Sequence, residues 1–379
     1  MDFDFSDQQY LFRETFKAFL EKNHDLRKHV TLLEGDGFDA GLWQGLTDLG
    51  LFAMLVPEEF GGLGLSFVDM ALVLEELGKA LVGSPVSETI VAADLLVRYG
   101  SGQQQARLLP LVASGKLRVT TAITEPESGF DPRNIRACTS STGGGWILDG
   151  HKIMVPNAAG ADLIMVAARI GPAQELGIVL LEPHRQGVAL SEHATLDPAC
   201  RFCALTLNNV AVCPEDILGG ASPHPASLAC LLDVSSAVAA TQMIGIASKV
   251  LDISVAYAAQ RIQFGKPIGS FQAIKHKCAD MAVAIDAGRS AAYYCAWAIA
   301  EDASDRARAV SIAKSFCGDT ARLVCNEGIQ IHGGMGFTWE LGLHWYLRRA
   351  KVLEFSHGDA AFHRERVMAA TLAELDEQE

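Results

Sequence analysis

The stretch Arg261-Ile262-Gln263-Phe264-Gly265-Lys266-Pro267-Ile268-Gly269-Ser270-Phe271-Gln272 decides how this chain is read, because it separates two long helical signals. Upstream, residues 226–261 are apolar nearly all round, the mark of a buried helix. Asp233, Gln242, Lys249 and Asp252 punctuate that run, so it does not read as a membrane span. Downstream, residues 271–300 and 305–331 pattern as helices, and Gly333-Gly334 breaks the chain before shorter helices. An arginine fork beside an aromatic, as at Arg261 and Phe264, suits contact with a phosphate and a ring. A helix end with a cation matched to its dipole explains the same residues, and is the favoured local reading.

Moving outward, the first third is helical. Ser6 followed by Gln9 has the form of a capping box, and Phe12, Phe16, Phe19 and Leu20 recur at helical spacing. Helices are expected over 41–49, 69–79, 87–99 and 104–113, with Gly50 and Gly100 as stops. The middle changes character: 119–124, 146–155, 162–168, 177–181 and 204–212 read as strands, with turn signals at Gly143-Gly144-Gly145 and Gly171-Pro172. These strands do not alternate with helices, which argues against a Rossmann domain. The fold class is therefore α+β: an N-terminal helical domain (1–118), a middle antiparallel β domain (119–225) and a C-terminal helical bundle (226–379).

Length and charge narrow the function. A chain of 379 residues calls for two or three domains. A net charge of −14 argues against nucleic-acid binding and against adhesion to an anionic membrane. The N-terminus shows no basic region followed by an apolar run, and the nine scattered cysteines read as reduced thiols, so a cytoplasmic protein is expected. Cys200 and Cys203 form a CxxC without a second pair, and His357, Asp359 and His363 lack an established ligand geometry, so no metal site is expected.

Three further motifs are individually weak. Pro57-Glu58-Glu59-Phe60-Gly61-Gly62-Leu63-Gly64 reads as a turn between helices, being neither a Walker A loop nor a GxGxxG after a strand. Ile123-Thr124-Glu125-Pro126-Glu127-Ser128-Gly129-Phe130-Asp131 reads equally as a strand-end turn or as a cradle for a flavin or pyrophosphate. In Gln330-Ile331-His332-Gly333-Gly334-Met335-Gly336-Phe337 the glycines permit close approach by a ligand, though a helix C-cap explains Gly333 as well.

Their order is specific where each alone is not. PEEFGGLG, ITEPESGFD, RIQFGKPIGSFQ and QIHGGMG, in this order and spacing, resemble the acyl-CoA dehydrogenase family over essentially the whole chain. The resemblance implies that family's fold, ending in a four-helix bundle. It also implies its chemistry: a carboxylate takes the α-proton of an acyl-CoA thioester and FAD accepts the β-hydride, with an electron-transfer flavoprotein or similar acceptor downstream. Each flavin is shared in such an assembly. Ile123 and Thr124 would contact the flavin of their own subunit. Arg261, Phe264, Phe271, Gln272, Gln330, Gly333 and Gly334 would reach the flavin of a neighbour.

The departures from the family pattern have a direction. Where relatives carry the catalytic Glu, aligned on Ala350-Lys351 and Gly358, this chain has His357, and the next flavin-side Thr becomes Asp359. The alternative Glu position on the long helix holds Ser235, and nearby Asp233 is more than half a helical turn away. Met154 replaces an aromatic that lies against the flavin, Pro156 replaces a hydroxyl residue and offers no donor, and Phe130 replaces a Ser. Groups used for the subunit's own site are altered, and groups lent to a neighbour are kept. This resembles the non-basic subunits of heteromeric (α2β2) acyl-CoA dehydrogenases, which act on bulky thioesters such as steroid side-chain and dicarboxylyl CoAs. The expectation is a subunit that lends FAD-binding residues to a catalytic partner. The competing readings are a self-sufficient, homo-oligomeric dehydrogenase using His357 or Asp359 as base, and a flavin monooxygenase-like protein on the same fold.

Overall fold

A computed structural model describes residues 5–25, 35, 37–83, 85–142, 145–220 and 222–376. In chain order the elements begin with α1 (Asp7–Asn23), α2 (Ala40–Asp48), α3 (Phe67–Lys79), α4 (Val86–Tyr99) and α5 (Gly102–Ala113). The strands are β1 (Val119–Ala122), β2 (Cys138–Thr142), β3 (Gly145–Pro156), β4 (Leu163–Ile170), β5 (Glu175–Leu181), β6 (Val188–His193) and β7 (Phe202–Val212). Then follow α6 (Ser227–Gln260), the short pair β8 (Ile262–Gln263) and β9 (Lys266–Pro267), α7 (Gln272–Ala300), α8 (Arg306–His332), α9 (Leu343–Phe355) and α10 (Ala360–Asp376). Each helix and strand assigned above by residue range is found with ends moved by two residues at most, whereas β2, β6 and the short pair β8 and β9 were not anticipated. The Gly143-Gly144 turn signal lies outside the described residues.

The chain divides into two compact units, each drawn from separate stretches. One comprises 1–31, 67–82 and 236–379, the other 32–66 and 83–235. The first is helical. α1 opens on the expected capping box: Ser6 Oγ accepts from Gln9 N–H at 3.2 Å, and Gln9 Oε1 accepts from Ser6 N–H at 2.9 Å. Glycine lets α3 and α6 approach closely, since a Cβ on Gly245 would stand 2.0 Å from Glu75 O and one on Gly78 2.2 Å from Gln242 O. Beside this contact the buried Glu75 accepts from Tyr293 Oη at 2.7 Å and from the Arg289 guanidinium at 3.2 Å, so its charge is paired. Burial favours a protonated Glu75, but Arg289 and Lys79 outweigh it and hold the carboxyl below its ordinary range. α6 is long and apolar enough to cross a membrane, yet 94% of its most apolar window is buried inside the protein.

The second unit carries the sheet. β2 and β3, β3 and β7, β7 and β6, and β4 and β5 pair antiparallel. The sheet is not wholly antiparallel as expected: β1 lies parallel to β4 in the register Val119–Leu163 to Ala122–Val166, and Cys138 meets Arg169 in a single parallel bridge. A parallel neighbour requires the long β1-to-β4 crossover, which strand patterning does not reveal. Gln104 of α5 ties this helix to the end of the sheet region, donating to Ile217 O at 2.7 Å and accepting from Gly219 N–H at 3.0 Å.

Candidate functional site

In the sheet unit the loop after β1 is clamped by a buried ion pair. Lys152, fully buried on β3, donates to Glu125 Oε1 at 2.7 Å and to Ile123 O at 3.2 Å. Glu125 also accepts from Arg136 N–H at 2.7 Å and Ala137 N–H at 3.0 Å. Burial alone would raise the Glu125 carboxyl, but Lys152 and these two amides hold it below its ordinary range. Thr124 O accepts from Ile153 N–H at 2.9 Å, so Ile123 and Thr124 are fixed between β1 and β3 and both stay partly exposed. Sequence reasoning passed over this clamp. Its one signal was a lysine leading into the apolar run Ile153-Met154-Val155, and its partner lies 27 residues away.

Just beyond Lys152 the register with β7 shifts, and Met154 takes a left-handed backbone (φ 55°) with half of its surface exposed. The bulge turns the side chain out of the strand alternation. Pro156 follows, and then Asn157, buried and with φ 45°, whose Nδ2 has no hydrogen-bond partner among the described residues. Cys200 and Cys203 are buried free thiols, and burial pushes the Cys203 thiol up.

In the helical unit, β8 and β9 form a two-residue hairpin whose turn is Phe264-Gly265, both with positive φ (52° and 79°). That turn type matches strand twist but favours Asn or Gly, so an aromatic at its first position is strained. Phe264 is nevertheless 91% exposed, touching Phe271 edge-on at 6.1 Å, while Lys266 Nζ sits 4.4 Å from the Phe271 ring. Arg261 and Gln272 flank the hairpin and are exposed. Ile268 N–H donates to Arg261 O at 2.8 Å across the hairpin, which with the Phe264–Phe271 contact brings Arg261, Phe264, Phe271 and Gln272 together; the Arg261 guanidinium makes no ion pair or hydrogen bond among the described residues.

A second group gathers at the end of α8. Gln330, Gly333 and Gly334 line an open cleft of about 440 Å³ with Asn326, Ile329, Phe337 and Leu347. A Cβ added at Gly333 or Gly334 would meet nothing within 4 Å, so the glycines are not required by the fold's own packing there. Gly333 has φ 58° and ends the helix. Exposed Arg261, the Phe264 turn and the glycine-lined cleft therefore fit the demands of a phosphate-bearing aromatic cofactor.

His357 and Asp359 lie between α9 and α10. His357 takes φ 59° and Gly358 φ 109°. Buried Lys314 of α8 donates to Glu354 O at 2.9 Å and Gly358 O at 2.8 Å, satisfying a carbonyl at the end of α9 and fixing the turn. Desolvation, with the Lys314 ammonium nearby, pushes the His357 imidazole down to about 4. Asp359 Oδ1 accepts from Phe362 N–H at 2.9 Å, capping α10. Buried His363 contacts His357 O through Nε2 at 3.1 Å and Ser311 Oγ through Nδ1 at 3.3 Å. Among the described residues no group of three His, Cys, Asp or Glu side chains is placed to hold a metal.

Comparison with known proteins covers nearly the whole chain. Residues 6–116 match the acyl-CoA dehydrogenase N-terminal domain, 120–210 the middle domain and 227–372 the C-terminal domain. The probable acyl-CoA dehydrogenase YngJ of Bacillus subtilis is 31% identical, over 96% of this chain and 98% of that protein. Among solved structures, butyryl-CoA dehydrogenase from Megasphaera elsdenii superposes with a TM-score of 0.90 at 26% identity, covering 98% of this chain and 100% of that one. A chain of the ChsE4-ChsE5 complex from Mycobacterium tuberculosis gives 0.90 at 26% identity, covering 99% of each.

Proposed function

The chain belongs to the acyl-CoA dehydrogenase family, and on that premise we propose that it is the subunit of a heteromeric assembly that lends FAD-binding residues to a partner carrying the catalytic carboxylate. The family's activity is FAD-dependent oxidation of acyl-CoA thioesters, and FAD is the cofactor. FAD supplies the two-electron acceptor, and the protein's task is to hold, orient and polarise.

One observation carries the reading: Phe264 stands 91% exposed on a strained left-handed turn, beside an Arg261 without an ion-pair partner among the described residues. A fold keeps such a turn when something outside it is served. Arg261 would meet a phosphate of the neighbour's FAD, Phe264 and Phe271 its rings, and Gln272, Gln330, Gly333 and Gly334 would close around it. Ile123 and Thr124 would form this chain's own, diminished flavin contact, where Met154 and Pro156 offer neither a flat ring nor a donor.

The competing base assignment has less support. An imidazole pushed down to about 4 beside Lys314 is neutral at pH 7, but it accepts a proton only at the cost of a second cation next to the buried Lys314 ammonium. Asp359 is engaged as a helix cap. The ChsE4-ChsE5 complex supports a two-chain arrangement on this fold. Nine free cysteines support a reducing, cytoplasmic setting, and the segments 1–118, 119–225 and 226–379 are taken as the working domains.

The test is co-expression with a carboxylate-bearing acyl-CoA dehydrogenase chain of the same genome, followed by flavin absorbance. The complex should retain FAD, Arg261→Ala should lose most of it, and the chain alone should hold little. Tight FAD binding together with acyl-CoA oxidation by the purified chain alone would overturn the proposal.

A further inference from the structure

The two segments assigned above to the neighbour's flavin leave the helical unit side by side. α6 ends one residue before Arg261, and α8 ends one residue before Gly333. Both segments stand clear of the core at their tips: Phe264 is 91% exposed, and a Cβ at Gly333 or Gly334 would meet nothing within 4 Å. Their roots, by contrast, are pressed together. Gly328 lets α8 touch α6, since a Cβ there would stand 2.4 Å from Val250 Cγ1 and 3.2 Å from Ser254 Oγ. About one turn further on, the Tyr257 ring of α6 lies on the His332 ring of α8, with centroids 4.2 Å apart and planes 28° from parallel. Arg261 N–H donates to Tyr257 O at 2.8 Å, and His332 directly precedes Gly333. The stack therefore stands at the root of both segments.

The chemistry of His332 is more than a space-filling ring requires. Its Nδ1 lies 2.7 Å from Gly328 O, and a carbonyl only accepts, so Nδ1 carries the hydrogen and donates. Its Nε2 is then a buried acceptor with no hydrogen-bond partner among the described residues, which costs stability. A phenylalanine would fill the same space without that cost. What the imidazole adds is orientation. Its bond to Gly328 O, one turn back on α8, fixes the rotation of the ring, and a ring so fixed offers Tyr257 one flat face. Gly328 thus serves twice, by admitting α6 and by holding the ring that meets it.

We propose that Tyr257 and His332 are positioning residues for the lent half of the flavin site. Their stack sets Arg261 and its hairpin in register with Gln330, Gly333 and Gly334, so that one nucleotide is held by both segments. The proposal rests on the lending function argued above and names the parts that keep the lent groups aligned. Neither ring need touch the cofactor. Binding groups work only when held to within about 0.5 Å of their productive places, and tips without packing of their own take that precision from their roots.

The experiment uses the full chain co-expressed with a tagged, carboxylate-bearing acyl-CoA dehydrogenase chain of its own genome. The complex is stripped of flavin, FAD affinity is read by titration, and sedimentation velocity reports complex mass. Tyr257→Leu keeps apolar bulk at a half-buried position and removes the flat face. It should weaken FAD binding at least about tenfold with complex mass unchanged, whereas Tyr257→Phe, which keeps the ring, should stay within about twofold of the unaltered complex. His332→Leu should repeat the loss from the other side of the stack; where it fails to assemble, Tyr257→Leu decides. Arg261→Ala should cost less in the Tyr257→Leu background than alone, because a guanidinium already out of place has less to lose. Ile285→Val, a buried truncation in the middle of α7, is the control for lost stability and should leave FAD affinity unchanged. Full FAD affinity in Tyr257→Leu, while Arg261→Ala still loses flavin, overturns the brace and leaves the lending function standing. Strict additivity of Tyr257→Leu and Arg261→Ala, or an equal loss in Tyr257→Phe, overturns the brace as well. Full FAD affinity in Arg261→Ala overturns the lending function, and the brace with it.

Discussion

Removing the Lys152 ammonium should unlatch the loop after β1. Lys152→Met preserves length and apolar volume but deletes, among the described residues, the only side-chain cation on buried Glu125, and with it the donor to Ile123 O. Taking one partner from a buried ion pair costs about 3–5 kcal/mol, because the remaining charge is uncompensated. Here Glu125 keeps the amides of Arg136 and Ala137, so the expected cost lies at the lower end, about 3 kcal/mol. For a unit of this size that corresponds to a fall in Tm of roughly 6–12 °C. Deleting both charges in Glu125→Gln/Lys152→Met should recover at least about 1 kcal/mol relative to the sum of the single changes. Thermal and urea unfolding followed by near-ultraviolet circular dichroism measure all four species. A single-variant loss below about 1 kcal/mol, or strict additivity, would refute the claim that this pair holds the loop.

Phe264→Gly should stabilise the isolated chain by about 1 kcal/mol, since glycine accepts φ 52° without strain, while lowering FAD retention in the complex; a destabilised chain contradicts the strain argument. Gly245→Ala should cost about 3 kcal/mol or more, because its Cβ would meet the Glu75 carbonyl at 2.0 Å; a near-neutral melting point refutes the close contact. Acid should destabilise the protein through His357 and His363, which are pushed down to about 4 and about 3 when folded. The unfolded chain binds their protons first, so stability falls as pH drops below about 6.5, by up to about 1.4 kcal/mol per pH unit for each ring left neutral in the fold. His363→Gln should flatten that slope in urea titrations between pH 6.5 and 4, and an unchanged slope counts against it.

The helices and most strands were legible because their signals are local. α6 announces itself by apolarity nearly all round, and Gly50 and Gly100 sit where helices stop. β2 reads Cys138-Thr139-Ser140-Ser141-Thr142, too polar to show alternation, and β6 is largely exposed at the sheet's end, so neither stood out. The parallel β1–β4 pair and the Lys152–Glu125 clamp join residues distant in sequence, which no window detects. At the candidate site the identities at Arg261, Gln330 and Gly333 were readable. The positive φ at Phe264, Met154 and His357, and the Lys314 clasp, are products of tertiary structure that side-chain type does not encode.

The outward-standing Phe264 also bears on how such a protein is kept in a cell. In the assembly proposed above, a chain without its flavin-bearing neighbour shows water an aromatic ring that its own core does not absorb, close in sequence to the exposed Ile262. Exposed apolar groups of this kind are what chaperones retain and what aggregates form around. Synthesis of this chain would then have to keep pace with that of its neighbour, and orphan copies would be the first to be cleared.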